Sequence, residues 1–127
     1  LIHGDLHFDN FVFNGTDLYL LDFENCMVAP IDYDFKIFSI YDSKPYLWAS
    51  CKTDMLTVES DYEDFMNLLL ENYEELSKIS FINERLEFYS IIELLENYKE
   101  TKNEEIINEV YSKVRRLKGE VSKWKKS

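Results

Sequence analysis

Between Phe11 and Leu21 the chain must turn back on itself. Two short apolar runs, Phe11-Val12-Phe13 and Leu18-Tyr19-Leu20-Leu21, are separated by Asn14-Gly15-Thr16-Asp17. Asn-Gly between such runs marks a β-hairpin, because both residues tolerate positive φ. The surrounding stretch keeps the same texture of short segments rich in Phe, Tyr, Val and Asp. Residues 23–33 contain Pro30 and show no clear period, so they read as a loop. Tyr33 to Tyr41 reads as a short helix, and residues 42–56, with Pro45, Tyr46 and Trp48, as irregular. Tyr41, Tyr46 and Trp48 suit either a stacking wall for a cationic ligand or inter-helix packing.

Near Ser60 the pattern changes to long amphipathic stretches, and three helices are expected. Ser60-Asp61-Tyr62-Glu63 fits a capping box, with Thr57 as the alternative cap. Phe65, Leu68, Leu69 and Tyr73 then share a face. Asn83 can cap a second helix, with Leu86, Tyr89, Ile92 and Leu95 as a stripe reaching toward Tyr98. Asn103 can cap a third, in which Ile106, Val110, Val114, Leu117, Val121 and Trp124 recur at three- and four-residue steps. Glu104 and Glu105 at its start and Lys123, Lys125 and Lys126 at its end complement the helix dipole. Gly119 is a candidate stop or bend. The class expected is α+β and mostly helical, with 1–38 the hairpin region and 57–127 the helical part.

Charge removes one class of partner. The net charge over 127 residues is -11, whereas phosphate-backbone binding needs clustered Lys and Arg. Only the last helix is basic, and the dipole explains that. An acidic body tolerates a cationic small molecule or Mg2+, although most of these charges read as solvated helix faces. No apolar run approaches the roughly 18 residues of a membrane span. Cys26 and Cys51 lack metal-type spacing, and read as two ordinary thiols in a reducing cytoplasm.

The chemistry is concentrated in His3-Gly4-Asp5-Leu6-His7-Phe8-Asp9-Asn10, with Asp22 and Glu24 at the far end of the hairpin. Because the hairpin folds back, Asp22 should return near Asn10. Asp5, Asn10 and Asp22 then form one cluster built from two separated segments. An Asp followed five residues later by an Asn is the spacing of kinase catalytic loops. There the Asp accepts the proton of an attacking hydroxyl, and the Asn and a later Asp give hard oxygen ligands to Mg2+.

His3-Gly4-Asp5-Leu6-His7-x-x-Asn10, then Leu21-Asp22-Phe23-Glu24, then Pro30-x-x-x-Asp34 resembles the aminoglycoside phosphotransferase and choline kinase group. These small-molecule kinases share the protein-kinase-like fold. The match covers about residues 1–38, and the later helices suit that fold's helical C-terminal lobe. The resemblance implies Asp5 as catalytic base, Asn10 and Asp22 as holders of Mg2+ and the nucleotide, and Asp34, or else Asp32, as a brace. His3, His7 and Glu24 are supporting residues. It also implies ATP as phosphoryl donor and a small hydroxyl acceptor, aminoglycoside-like or choline-like.

Such kinases carry an N-terminal nucleotide-binding lobe with a Gly-rich phosphate-covering loop and a phosphate-pairing Lys. With glycines only at positions 4, 15 and 119, no such loop is here. The expectation is therefore a C-terminal catalytic and substrate-binding lobe spanning 1–127, inactive alone, whose uncovered surface invites dimerisation. Two alternatives stand beside it. One is a metal-dependent hydrolase, since His3, Asp5, His7 and Asp9 would line one face of a strand. The other is a non-catalytic helical interaction module or degenerate kinase lobe.

Overall fold

The computed structural model describes residues 1–44, 59–62 and 64–124. It is mostly helical, with a single two-stranded antiparallel sheet among the described residues. Strands β1 (Phe11–Phe13) and β2 (Leu18–Leu20) pair in the register Phe11↔Leu20, Val12↔Tyr19, Phe13↔Leu18. The turn uses its two signal residues differently. Only Gly15 takes positive φ, at +99°. Asn14 acts through its side chain: Oδ1 accepts the amides of Thr16 at 2.9 Å and Asp17 at 2.8 Å. The Asn14 amide itself donates to the Asp17 carbonyl at 3.1 Å. A side-chain oxygen that satisfies two turn amides makes a left-handed Asn unnecessary.

The segment read as a loop contains two 3-10 turns, Phe23–Asn25 and Ile31–Phe35. The second is followed by helix α1 (Phe38–Ser43), so the expected helix over 33–41 is two pieces. The remaining helices are α2 (Phe65–Asn72), α3 (Glu74–Ser77), α4 (Ile82–Thr101) and α5 (Glu104–Trp124). No helix among the described residues is long and apolar enough to cross a membrane.

Helix α1 lies between two apolar clusters. On one side Ile37, Phe38 and Tyr41 pack with Tyr62, Met66 and Leu86. On the other Ile40 packs with Ile91, Leu94, Ile106 and Val110. Tyr41 is thus core, not a wall for a ligand, while Tyr46 and Trp48 lie outside the described residues. The ring of Phe8 enters the first cluster, with centroids 4.8 Å from Tyr41, 5.1 Å from Phe38 and 5.2 Å from Phe65.

The helix boundaries correct several expectations. A 3-10 turn over Glu59–Tyr62 and a left-handed Asp64 (φ +62°) precede α2, so Ser60 caps no helix. Burying the Tyr62 ring against Phe8 and Tyr41 keeps that segment a tight turn. Thr57 lies outside the described residues. In α2, Met66 is buried whereas Leu68 is exposed. Helix α4 starts after a left-handed Phe81 (φ +59°), so Asn83 lies inside it. Its buried row is Leu86, Ser90, Ile91 and Leu94, while Ile92 and Leu95 face outward. Repeated three-residue steps explain the error: at about 100° per residue, nine residues rotate the stripe to the opposite side of the helix.

Helix α5 follows its expected phase. Asn103 Oδ1 accepts the Glu105 amide at 2.9 Å, an N-terminal cap, and Ile106 and Val110 are buried. The helix runs through Gly119 without a break. Lys113, only 1% exposed, joins the buried row by donating to Glu87 at 2.8 Å. Arg116 donates to Glu87 and to Glu109. This charged network fastens α5 to α4.

Candidate functional site

The site is built where the first ten residues meet the end of the hairpin. Ile2 forms an antiparallel bridge with Met27, its amide donating at 2.9 Å and its carbonyl accepting at 3.2 Å. This brings the start of the chain alongside the segment that follows β2. His3 is buried, and both ring nitrogens are used internally. Nδ1 accepts the Asp5 amide at 3.3 Å, and Nε2 donates to the Leu21 carbonyl at 2.7 Å. That pairing assigns the proton to Nε2. The Phe23 ring packs edge-on against His3, 5.0 Å between centroids.

Asp34, itself buried, holds the same loop from below. Its two carboxylate oxygens accept the His3 amide at 2.8 Å and the Gly4 amide at 2.7 Å. Asp32, the alternative brace, is engaged elsewhere. It pairs with Arg85 on α4, at 2.5 Å from Nε and 3.1 Å from Nη2. The hydrogen bond to Asp32 pushes the Arg85 guanidinium further above its ordinary value. Burial, followed by the Asp32 charge, pushes the Tyr89 phenol up as well.

Gly4 has φ +86°, and a β-carbon there would overlap the Asn25 carbonyl oxygen. Two independent penalties follow: a left-handed backbone that L-residues avoid, and a clash with main chain that cannot rotate away. Gly4→Ala should destabilise the fold by about 2–4 kcal/mol. Thermal melts should show a clear fall; an unchanged melting temperature would mean that the loop follows another path.

Asp5 is half-buried at the turn after Gly4, and its carbonyl accepts Asn10 Nδ2 at 2.8 Å. The Asn10 amide nitrogen also lies 3.2 Å from His7 Nε2. With the nitrogen committed inward, Asn10 Oδ1 is the atom left uncommitted among the described residues. The Asn10 carbonyl accepts the Leu21 amide at 2.8 Å, extending the hairpin by one more bond. Asp22 therefore follows directly on a residue bonded to Asn10, as the fold-back requires. Asp22 is left-handed (φ +59°) and exposed, a backbone state found at sites where geometry is imposed by the surroundings. Glu24 is exposed on the next turn.

His7 Nε2 lies 3.7 Å from Asp5 and Nδ1 3.8 Å from Asp9. Residues 3–7 are not a strand, so the strand face on which His3, Asp5, His7 and Asp9 would line up does not form. His3 is tied to backbone and Asp9 is largely exposed. Among the described residues no three His, Cys, Asp or Glu side chains gather as metal ligands. The hydrolase alternative loses its geometric basis.

A model of the phosphotransferase enzyme family matches residues 1–76, which contain the whole loop, the hairpin, α1 and α2. The chain belongs to the phosphotransferase enzyme family. This is the aminoglycoside phosphotransferase and choline kinase-like relationship seen in the sequence motifs. Neither the curated proteins nor the solved structures compared gave a match.

Three participants in the architecture of this loop carry little signal in sequence. Phe8 roots the loop in the aromatic core, the Asn25 carbonyl makes Gly4 obligatory, and Arg85 neutralises Asp32. Phe8 lies within a motif whose polar residues draw attention first. The other two act across gaps of 21 and 53 residues, which no local pattern reveals.

Proposed function

We propose that this lobe serves an ATP- and Mg2+-dependent phosphotransferase that phosphorylates a hydroxyl of a small molecule. The acceptor class is aminoglycoside-like or choline-like. One observation carries the reading: the loop holding Asp5 and the strand leading to Asp22 are joined through Asn10, whose amide donates to Asp5 and whose carbonyl accepts from Leu21.

Asp5 is the proposed base, accepting the hydroxyl proton as the acceptor oxygen bonds to the terminal phosphorus of ATP and the bond from that phosphorus to the bridging oxygen breaks, releasing ADP. Its half-exposed carboxylate is open to an incoming alcohol. Asn10 Oδ1 and the Asp22 carboxylate are the proposed Mg2+ ligands. They fit the ion, which takes hard oxygens and needs only one or two protein carboxylates beside phosphate oxygens. Bound there, Mg2+ would supply positive charge against the negative charge on the phosphoryl oxygens. His3 and Asp34 hold the loop, and His7 and Glu24 flank the reacting groups.

The domain reading is a C-terminal lobe of a protein-kinase-like fold, working with a nucleotide-binding lobe outside these 127 residues. Exposed apolar side chains on the hairpin and just beyond it, Phe13, Leu18, Tyr19, Leu21 and Phe23, support a covering partner there. The acidic balance supports a cationic acceptor.

The test measures Mg2+-dependent phosphate transfer from ATP to a panel of small alcohols, aminoglycosides and choline included, by the lobe joined to its nucleotide-binding lobe. Asp22→Ala should weaken Mg2+·ATP binding at least tenfold, about 1.4 kcal/mol, by calorimetric titration. Unchanged binding would sink the assignment of Asp22.

A further inference from the structure

The turn over Ile31–Phe35 carries two buried carboxylates with opposite assignments. Asp34 holds the His3 and Gly4 amides. Asp32, with no exposed surface, has both oxygens engaged by Arg85. Further contacts follow the same face of α4. Arg85 Nη2 donates to the Tyr89 hydroxyl at 3.1 Å, and the Tyr89 ring packs edge-on against Tyr33 at 5.2 Å. Lys36, buried, pairs with Glu93 at 3.1 Å and lies 4.2 Å from the centre of the Tyr33 ring. Arg85, Tyr89 and Glu93 are four residues apart, one row along the helix. The turn is thus gripped by α4 through Asp32, Tyr33 and Lys36, and grips the loop through Asp34.

We infer that Arg85 is a positioning residue for the catalytic loop. By pairing both oxygens of Asp32 it sets the turn against α4, and the turn sets the amides that orient Asp5. The inference rests on the reading of Asp5 as base for its functional meaning, but its geometry stands apart from turnover. A planar guanidinium fork suits the task because it fixes the angle of the carboxylate as well as its distance. An ion pair that merely added stability would act on the whole lobe alike.

Amide hydrogen exchange separates the two cases. In Arg85→Ala the His3 and Gly4 amides should lose protection at least tenfold, while the Leu94 amide in the core of α4 keeps its own. Since truncation leaves Asp32 buried without its charged partner and can unfold the protein, Asp32→Asn/Arg85→Met provides a second variant with no stranded charge. It should show the same local loss. Wild-type exchange at His3 and Gly4 in a folded variant, or an equal loss at Leu94, overturns the inference. In the enzyme assay kcat should fall with the KM for ATP unchanged. Absence of any phosphate transfer by the unmodified lobe joined to its nucleotide-binding lobe would overturn the kinase reading alone, because the exchange result needs no turnover.

Discussion

Asp5→Asn should lower phosphoryl transfer by about 10²–10⁴-fold, the range a positioned general base contributes. Asn matches Asp in size, so the loop should keep its path. The loop's bonds use the Asp5 amide, which donates to His3 Nδ1, and the Asp5 carbonyl, which accepts from Asn10. Neither is lost on substitution. What disappears is a carboxylate able to take the hydroxyl proton. Mg2+·ATP affinity should therefore hold while kcat falls, because the proposed metal ligands are Asn10 and Asp22. Steady-state kinetics alongside nucleotide titration measure both. Parental kcat in this variant would remove Asp5 from the mechanism.

The second large effect is structural. Asp34→Ala removes the acceptor of two amide hydrogens, those of His3 and Gly4, in a place where the carboxylate is buried. Stranded amides in that setting cost about 2–5 kcal/mol together, which lowers the melting temperature of a domain this size by roughly 10 °C or more. Turnover should fall further than stability explains, because Asp5 follows directly on the released amides. Asp34→Asn keeps one acceptor oxygen and should lose about half as much. Calorimetry checks the first part, and kinetics well below the melting temperature the second. An Asp34→Ala protein that melts like the parent would show that water or a rearranged loop serves those amides equally well.

The site was more legible in the sequence than the helices around it. The spacing of Asp5 and Asn10 and the Asn14-Gly15 turn are local facts. A strand of three residues leaves little freedom for where Asp22 can return. The Asn103 cap and the phase of α5 could also be read, because its apolar residues alternate three- and four-residue steps. The stripe on α4 could not. Leu86, Tyr89, Ile92 and Leu95 are apolar, yet the side α4 buries is decided by α1 and α5, and that side takes Ser90 at no exposure while leaving Ile92 and Leu95 outside. The capping box at Ser60 failed for a related reason: burial of Tyr62 against the loop's own Phe8 outweighs local helix-start chemistry.

The choice between Asp32 and Asp34 shows where the boundary falls. Sequence by itself determined that two carboxylates follow Pro30, two residues apart, downstream of a loop holding an Asp and an Asn five apart. Turn, cap and motif depend on neighbours a few bonds away, whose interactions the chain cannot avoid. Which carboxylate holds the loop and which meets Arg85 was decided only by the tertiary structure. Both are buried, and a buried charge must find its partner wherever packing brings one, here 31 residues back at His3 and 53 residues ahead at Arg85.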